Sequence, residues 1–203
     1  MKYAGDRGDP YLDSETGVLR NLLGISDQGW LDKIESTLSF LRTSELRERP
    51  VKGKFDLAHL QEIHNRLFQD VYDWAGQIRQ VEISKGNTMF AQQIAIQSAA
   101  QQIFGQLAKE RFLCGLDAEE FSKRAGDYLG EINVLHPFRE GNGRTQREFI
   151  AQLAQRAGYR IDWGVVSQAD MIKASIDAYN GDSSGLASII REGISDQLFK
   201  DNE

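Results

Sequence analysis

The chain has one cysteine, Cys114, only three histidines, no long uninterrupted apolar run and no excess of positive charge. A single thiol excludes an internal disulfide, and so few cysteines and histidines argue against a structural zinc site, so Cys114 reads as a small packing residue. No apolar stretch approaches the roughly 20 residues that a membrane-spanning helix requires. The opening Met1-Lys2-Tyr3-Ala4-Gly5-Asp6 lacks the apolar core of a signal peptide, and the expectation is a cytoplasmic protein, with export into a host cell left open. A formal net charge of −6 argues against a general nucleic-acid binder, because neutralising many phosphates requires a basic face.

What is present is ordinary for one globular domain: 203 residues, 40% hydrophobic and 27% charged. Leu31, Ile34, Leu38 and Leu41 recur at helical spacing behind Ser26-Asp27 and predict a helix to about Leu46, with Pro50 and Gly53 breaking it. Asp56 opens a second helix, with Leu57, Leu60, Ile63, Leu67 and Val71 on one face, ending near Trp74-Ala75-Gly76. Val81-Glu82-Ile83 then alternates like a strand, Ser84-Lys85-Gly86-Asn87 carries turn chemistry, and Thr88-Met89-Phe90-Ala91 returns, giving a hairpin over about 81–91. Further helices are predicted at about 92–109, 117–135 behind Asp117, 143–157, 168–180, and from 184 onward. The fold class is all-α, a single domain over residues 1–203 with one small β-hairpin.

The chemistry is concentrated in His136-Pro137-Phe138-Arg139-Glu140-Gly141-Asn142-Gly143-Arg144-Thr145-Gln146-Arg147. Gly141-Asn142-Gly143 lets the backbone turn tightly in front of a helix, whose free N–H groups and positive dipole end suit an anion. Arg144 and Arg147, three residues apart, project from the first turn on neighbouring faces. Glu140 can offer an oxygen to Mg²⁺ shared with phosphates, and His136 can act as a base on a hydroxyl. Oligophosphate is the natural guest. His59 and His64 have no acidic or glycine-rich partner nearby in sequence and read as structural or surface residues. Arg139 reads as a solvated charge, Pro137 as a helix stop and Phe138 as a core anchor.

This run resembles the Fic family signature His-Pro-Phe-x-Asp/Glu-Gly-Asn-Gly-Arg-x-x-Arg at every fixed position, and the likeness extends through Glu131-Leu135 and through Phe55 to Ala91. The resemblance implies a Fic-type helical bundle and transfer of AMP from ATP, with Mg²⁺, to a hydroxyl of a target protein. It assigns His136 as general base, Glu140 to the metal, Gly141, Asn142 and Gly143 to the phosphate cradle with Asn142 on the α-phosphate, Arg144 to the β-phosphate and Arg147 to the γ-phosphate. Related Doc kinases carry Lys where this chain has Gly143, which disfavours a kinase. The hairpin becomes a flap over the site that registers a target segment by main-chain hydrogen bonds, with Lys85 and Gly86 at its tip as nucleotide or target contacts. The likeness is to bacterial Fic toxins that act on the ATPase subunits of DNA gyrase and topoisomerase IV. Those toxins are held inactive by a small antitoxin with an inhibitory Ser/Thr-x-x-x-Glu-Gly/Asn helix. Ser188-Ile189-Ile190-Arg191-Glu192-Gly193 fits that inhibitory pattern, which would pair Glu192 with Arg147; inhibition by a separate antitoxin is the favoured reading. The alternatives are transfer of UMP or phosphocholine, and a catalytically idle interaction module.

Overall fold

The computed structural model describes residues 4–5, 8–86 and 88–197. In chain order the elements are β1 (Ala4–Gly5), α1 (Gln28–Glu48), α2 (Leu57–Phe68), β2 (Ile83–Lys85), β3 (Thr88–Met89), α3 (Ile96–Lys109), α4 (Ala118–Leu135), α5 (Asn142–Ala157), β4 (Tyr159–Ile161), α6 (Gln168–Tyr179), α7 (Ser184–Gly193) and β5 (Ile194–Gln197). Helix starts follow side-chain caps. Asp27 accepts from the Trp30 amide, Asp56 from His59, Asp117 from Glu119 and Glu120, and Ser167 from Asp170. Each such cap is worth about 1 kcal/mol because it satisfies a backbone donor that the helix leaves open.

The central pair is α4 and α5. Phe121, Ala125, Leu129 and Ile132 on the first, and Phe149, Ile150, Leu153 and Ala154 on the second, are buried. α2 packs on α5, α3 and α7 pack on α4, and α1 closes over α2. Burying each large apolar side chain of this core contributes about 1.5–3 kcal/mol, which fixes the ends of α4 and α5 relative to each other. The phosphate-type motif bridges those two ends, so the functional loop is mounted on the most buried part of the molecule.

Three features differ from the sequence expectation. α2 stops at Phe68 and not near Gly76, because the chain doubles back over it: Gln61 Nε2 donates to the Gly76 carbonyl at 2.9 Å and the Gly76 N–H donates to His64 Nδ1 at 2.8 Å. Arg42 also holds Asp70 through Nε and Nη2, at 2.7 and 2.8 Å. The hairpin pairs Ser84 with Met89 and Lys85 with Thr88, but β1 adds to its other edge, pairing Ala4 with Ser84 and Gly5 with Ile83, so the order is β1-β2-β3. Asn87 of the flap turn lies outside the described residues. A second antiparallel pair, β4 with β5, is also present. Its Tyr-Arg-Ile alternation of buried, exposed and buried positions spans three residues, too short to show as a period in sequence.

Candidate active site

α4 ends at His136, whose φ of 43° and ψ of 61° put it in the left-handed region and turn the chain out of the helix. Asn142 then closes the loop on itself: its side-chain oxygen accepts from the Phe138 N–H at 2.9 Å and its amide donates to the Phe138 carbonyl at 2.7 Å. Gly141, at φ 79°, enters α5, and a Cβ there would stand 2.3 Å from the Phe68 ring. Only glycine fits that approach. Phe138 is buried and stacks on His64 with ring centroids 3.9 Å apart.

This loop, the first turn of α5, the flap and α6 enclose a cavity of about 700 Å³. His136, Glu140, Gly141, Gly143, Arg144, Arg147 and Lys85 all line it, together with Glu35, Phe90 and Trp163. Gly86, at the flap tip, does not, and neither does Asn142. Both ends of the Asn142 amide are engaged inside the loop, so this side chain holds the loop's shape. Arg139 corrects the expectation of a solvated charge. It is 1% exposed and donates from Nε to Asp9 at 2.8 Å, a buried ion pair that ties the loop to the segment before α1.

His136 Nδ1 lies 2.8 Å from the Asn133 carbonyl. A carbonyl can only accept, so Nδ1 carries the proton and Nε2 holds the lone pair, the arrangement that a general base requires. Burial, with Arg79 and Lys85 nearby, pushes the ring down to about 3, against the hydrogen bond to Asn133, so it is neutral at pH 7. This lies well below the near-neutral value that suits a general base. The physical cause is the flap, since Phe90 stacks flat on the imidazole at 3.6 Å and His136 is only 4% exposed. A bound polyphosphate would place negative charge in the cavity and move the value back up.

Arg144 is braced before any ligand arrives. Nη2 donates to Glu35 at 2.5 Å, Nη1 to Ser39 at 2.9 Å, and the guanidinium lies over the Phe68 ring at 4.7 Å. Glu35 is itself buried and accepts from the Tyr72 hydroxyl, whose ionisation is pushed up by burial and by that carboxylate. Arg147 is half-buried, and burial first, then the neighbouring Arg144 charge, hold its guanidinium below the ordinary arginine value. Two neighbouring arginine charges at the start of α5, with Arg147 strained toward losing its own, make this end of the cavity a place where an anion is stabilised.

Glu140 is buried, accepts from the Gly141 N–H at 2.9 Å and lies 3.7 Å from Arg144. Among the described residues no group of three or more histidine, cysteine, aspartate or glutamate side chains could hold a metal by itself. Glu140 lines the cavity beside the start of α5, and with so few carboxylates there it fits a Mg²⁺ that would be carried in with a nucleotide and held largely by the phosphates.

His64 supports the loop from below. Since Nδ1 accepts from Gly76, Nε2 carries the proton and donates to the Glu140 carbonyl at 3.0 Å; full burial drives its ionisation down to about 3. His59 is likewise structural, bonded to the Phe55 amide and to Gln152. Sequence reasoning passed over Glu35, Phe90 and Arg79. Phe90 sat within the expected flap, whereas nothing local marks Glu35, whose partner Arg144 is 109 residues away.

Comparison with known proteins places this geometry. The chain matches the Fic/DOC family over residues 54–154. It is 54% identical over 195 residues to protein adenylyltransferase VbhT of Bartonella schoenbuchensis, covering 96% of this chain and 41% of that protein. It is 39% identical to the "Probable protein adenylyltransferase Fic" of Salmonella typhimurium, covering 95% of each. The fold superposes on the N-terminal Fic domain of a Bartonella quintana VirB-translocated Bep effector with bound ADP, with a TM-score of 0.86, 28% identity and coverage of 93% of this chain and 95% of that one. It also matches the Bartonella tribocorum BepC protein with bound AMPPNP, with a TM-score of 0.84, 28% identity and coverage of 91% and 95%.

Proposed function

The chain belongs to the Fic/DOC family, and from that premise we propose that it transfers AMP from ATP to a hydroxyl side chain of a protein. Protein adenylyltransferase is the enzyme class of relatives matched over almost the whole chain, and structural neighbours hold ADP or AMPPNP. The observation that carries the reading is the shared cavity: His136, whose Nδ1 is held by the Asn133 carbonyl, lines the same space as Arg144, Arg147 and the start of α5, which favour phosphates.

In this reading Arg144 holds the β-phosphate and Arg147 the γ-phosphate, and the backbone at Gly141 to Gly143 cradles the α-phosphate. The target hydroxyl attacks the α-phosphorus as His136 Nε2 takes its proton. The bond from that phosphorus to the bridging oxygen breaks and pyrophosphate leaves. Pre-positioning of this kind is where phosphoryl-transfer enzymes gain most of their rate. Mg²⁺, held through Glu140, would supply charge neutralisation for the departing pyrophosphate.

The targets we propose are the ATPase subunits of DNA gyrase and topoisomerase IV, with a small antitoxin as the inhibitor. Glu192 is exposed on α7 and does not line the cavity that holds Arg147, which favours inhibition by a separate chain. Glu192→Gly should then change adenylylation less than about threefold, beyond a small loss of helix stability. A large activation would place the inhibitor inside the chain. The donor is tested by offering ATP, GTP and UTP, each labelled at the α-phosphate, to the wild-type chain with a bacterial lysate. Labelling of protein from ATP is expected; labelling from UTP alone would replace AMP with UMP.

A further inference from the structure

Arg79 lies in the segment between α2 and the flap, 57 residues before His136, and its side chain is fully buried. Each arm of its guanidinium is directed at a different backbone carbonyl. Nε donates to His136 at 2.9 Å, Nη1 to Val81 at 2.6 Å, and Nη2 to Ala91. Val81 and Ala91 are the two feet of the flap, one on each side of the hairpin. The Arg79 backbone N–H also donates to the Pro137 carbonyl at 2.9 Å. Glu82 approaches Nη1 at 3.5 Å, and its other oxygen accepts from the Gln93 N–H at 2.9 Å, a second link across the feet.

We propose that Arg79 is a positioning residue that locks both feet of the flap to the backbone of the catalytic histidine, so that flap and base keep one fixed geometry. The claim rests on the adenylyltransferase reading, in which the flap carries the target and His136 takes its proton. A planar fork can satisfy three carbonyls at once, whereas a lysine ammonium on a flexible stem cannot reproduce that set of directions. The His136 carbonyl matters because that residue sits in the left-handed region, where a side chain other than glycine is strained and needs its neighbours to hold it. The Ala91 carbonyl matters because the adjacent Phe90 is the ring that covers the imidazole. The Ala91 N–H, donating to Val134 at 2.9 Å, ties the same foot to the end of α4. Moving that foot by about 1 Å would both uncover His136 and misplace a docked hydroxyl, an error that can lower a rate by about 100-fold.

The test compares wild type with Arg79→Lys by three measurements: NMR titration of the His136 ring, ATP affinity by calorimetry, and AMP transfer from α-labelled ATP to lysate proteins. With three histidines in the chain, His136→Ala assigns the signal. In folded Arg79→Lys we expect the His136 titration to move up by about 1 unit or more as Phe90 loosens. ATP affinity should stay within about twofold, because the arginines of α5 are untouched, and transfer should fall by about tenfold or more. Phe90→Ala should reproduce the titration shift without disturbing the anchor. A His136 titration and transfer rate equal to wild type would overturn the proposal, as would loss of ATP affinity in proportion to loss of transfer. Should Arg79→Lys fail to fold, Glu82→Ala takes its place: a titration shift in the same direction supports the anchor, and none overturns it. A wild-type chain that labels nothing would count against the adenylyltransferase reading, while the His136 titration would still decide the role of Arg79.

Discussion

Arg147 is half-buried next to Arg144, and both circumstances work against its own charge. In the proposed reaction a third phosphate would offset both, which is why Arg147 is expected to discriminate between ATP and ADP. Arg147→Ala should therefore lower AMP transfer by about 10-fold or more through misorientation of the leaving pyrophosphate, while ADP affinity changes little because Arg144 and the start of α5 still hold two phosphates. Calorimetry with both nucleotides checks this, and equal loss for ADP and ATP would remove Arg147 from the γ-phosphate. The side chains from His136 to Arg147 were legible in sequence because the chemistry is contiguous: base, carboxylate, glycines and arginines fall within one loop and one helical turn. Glu35 and Arg79 were not, since each looks like any other charged residue until the fold brings a distant partner to it. Asn142 and Arg139 show the converse. Their places in the motif were plain, but whether a side chain points into the cavity or into the loop depends on the tertiary backbone, which a linear pattern does not contain.

The turn from α4 into α5 is the element on which the site depends. Gly141→Ala combines a left-handed φ of 79° with a Cβ placed 2.3 Å from Phe68, in a wall that also carries the cation over that ring. The change should destabilise the protein by about 2–5 kcal/mol. Gly86→Ala also has positive φ, at 58°, but meets nothing within 4 Å, and about 1 kcal/mol is expected. Chemical denaturation of both variants checks the contrast; comparable values would mean that contact with Phe68 is not what demands glycine. Helices were readable wherever a capping residue preceded an apolar repeat, as at Asp27, Asp56, Asp117 and Ser167. The end of α2 was not, because Val71 continues the apolar repeat and it is contacts from Gln61 and His64 to Gly76, with Arg42 on Asp70, that hold the chain turned back. β1, β4 and β5 escaped because each pairs with a strand far along the chain, whereas the flap strands flank a turn that marks them.

Across the molecule, all three histidines are buried and burial lowers each of them, His64 and His136 to about 3. Because the folded values lie below the unfolded value near 6.5, the unfolded chain binds more protons in between. The stabilising contribution of His64 and His136 is complete above about pH 6.5 and is lost as pH falls toward 3, at up to about 1.4 kcal/mol per pH unit for each of the two, and His59 acts in the same direction. Urea unfolding at pH 7.5 and pH 5 should show a clear loss at the lower value, and equal stability would contradict this burial. The overall architecture was legible as a helical domain with a flap because amphipathic periods survive in sequence, and the comparison with solved Fic domains agrees. How the flap is fastened over His136 was not, since it depends on Arg79 reaching the His136 carbonyl and Phe90 stacking on the His136 ring from another part of the chain. In the proposed reaction AMP moves from ATP to a protein hydroxyl while His136 takes that hydroxyl's proton. The most direct measurement offers ATP labelled at either the α- or the γ-phosphate to wild type and to His136→Ala in the presence of lysate proteins. The account predicts that protein is labelled from the α position only, and that His136→Ala loses about 10²–10⁴-fold of that labelling while still binding ATP. Label arriving from the γ position, or undiminished transfer in His136→Ala, would contradict it.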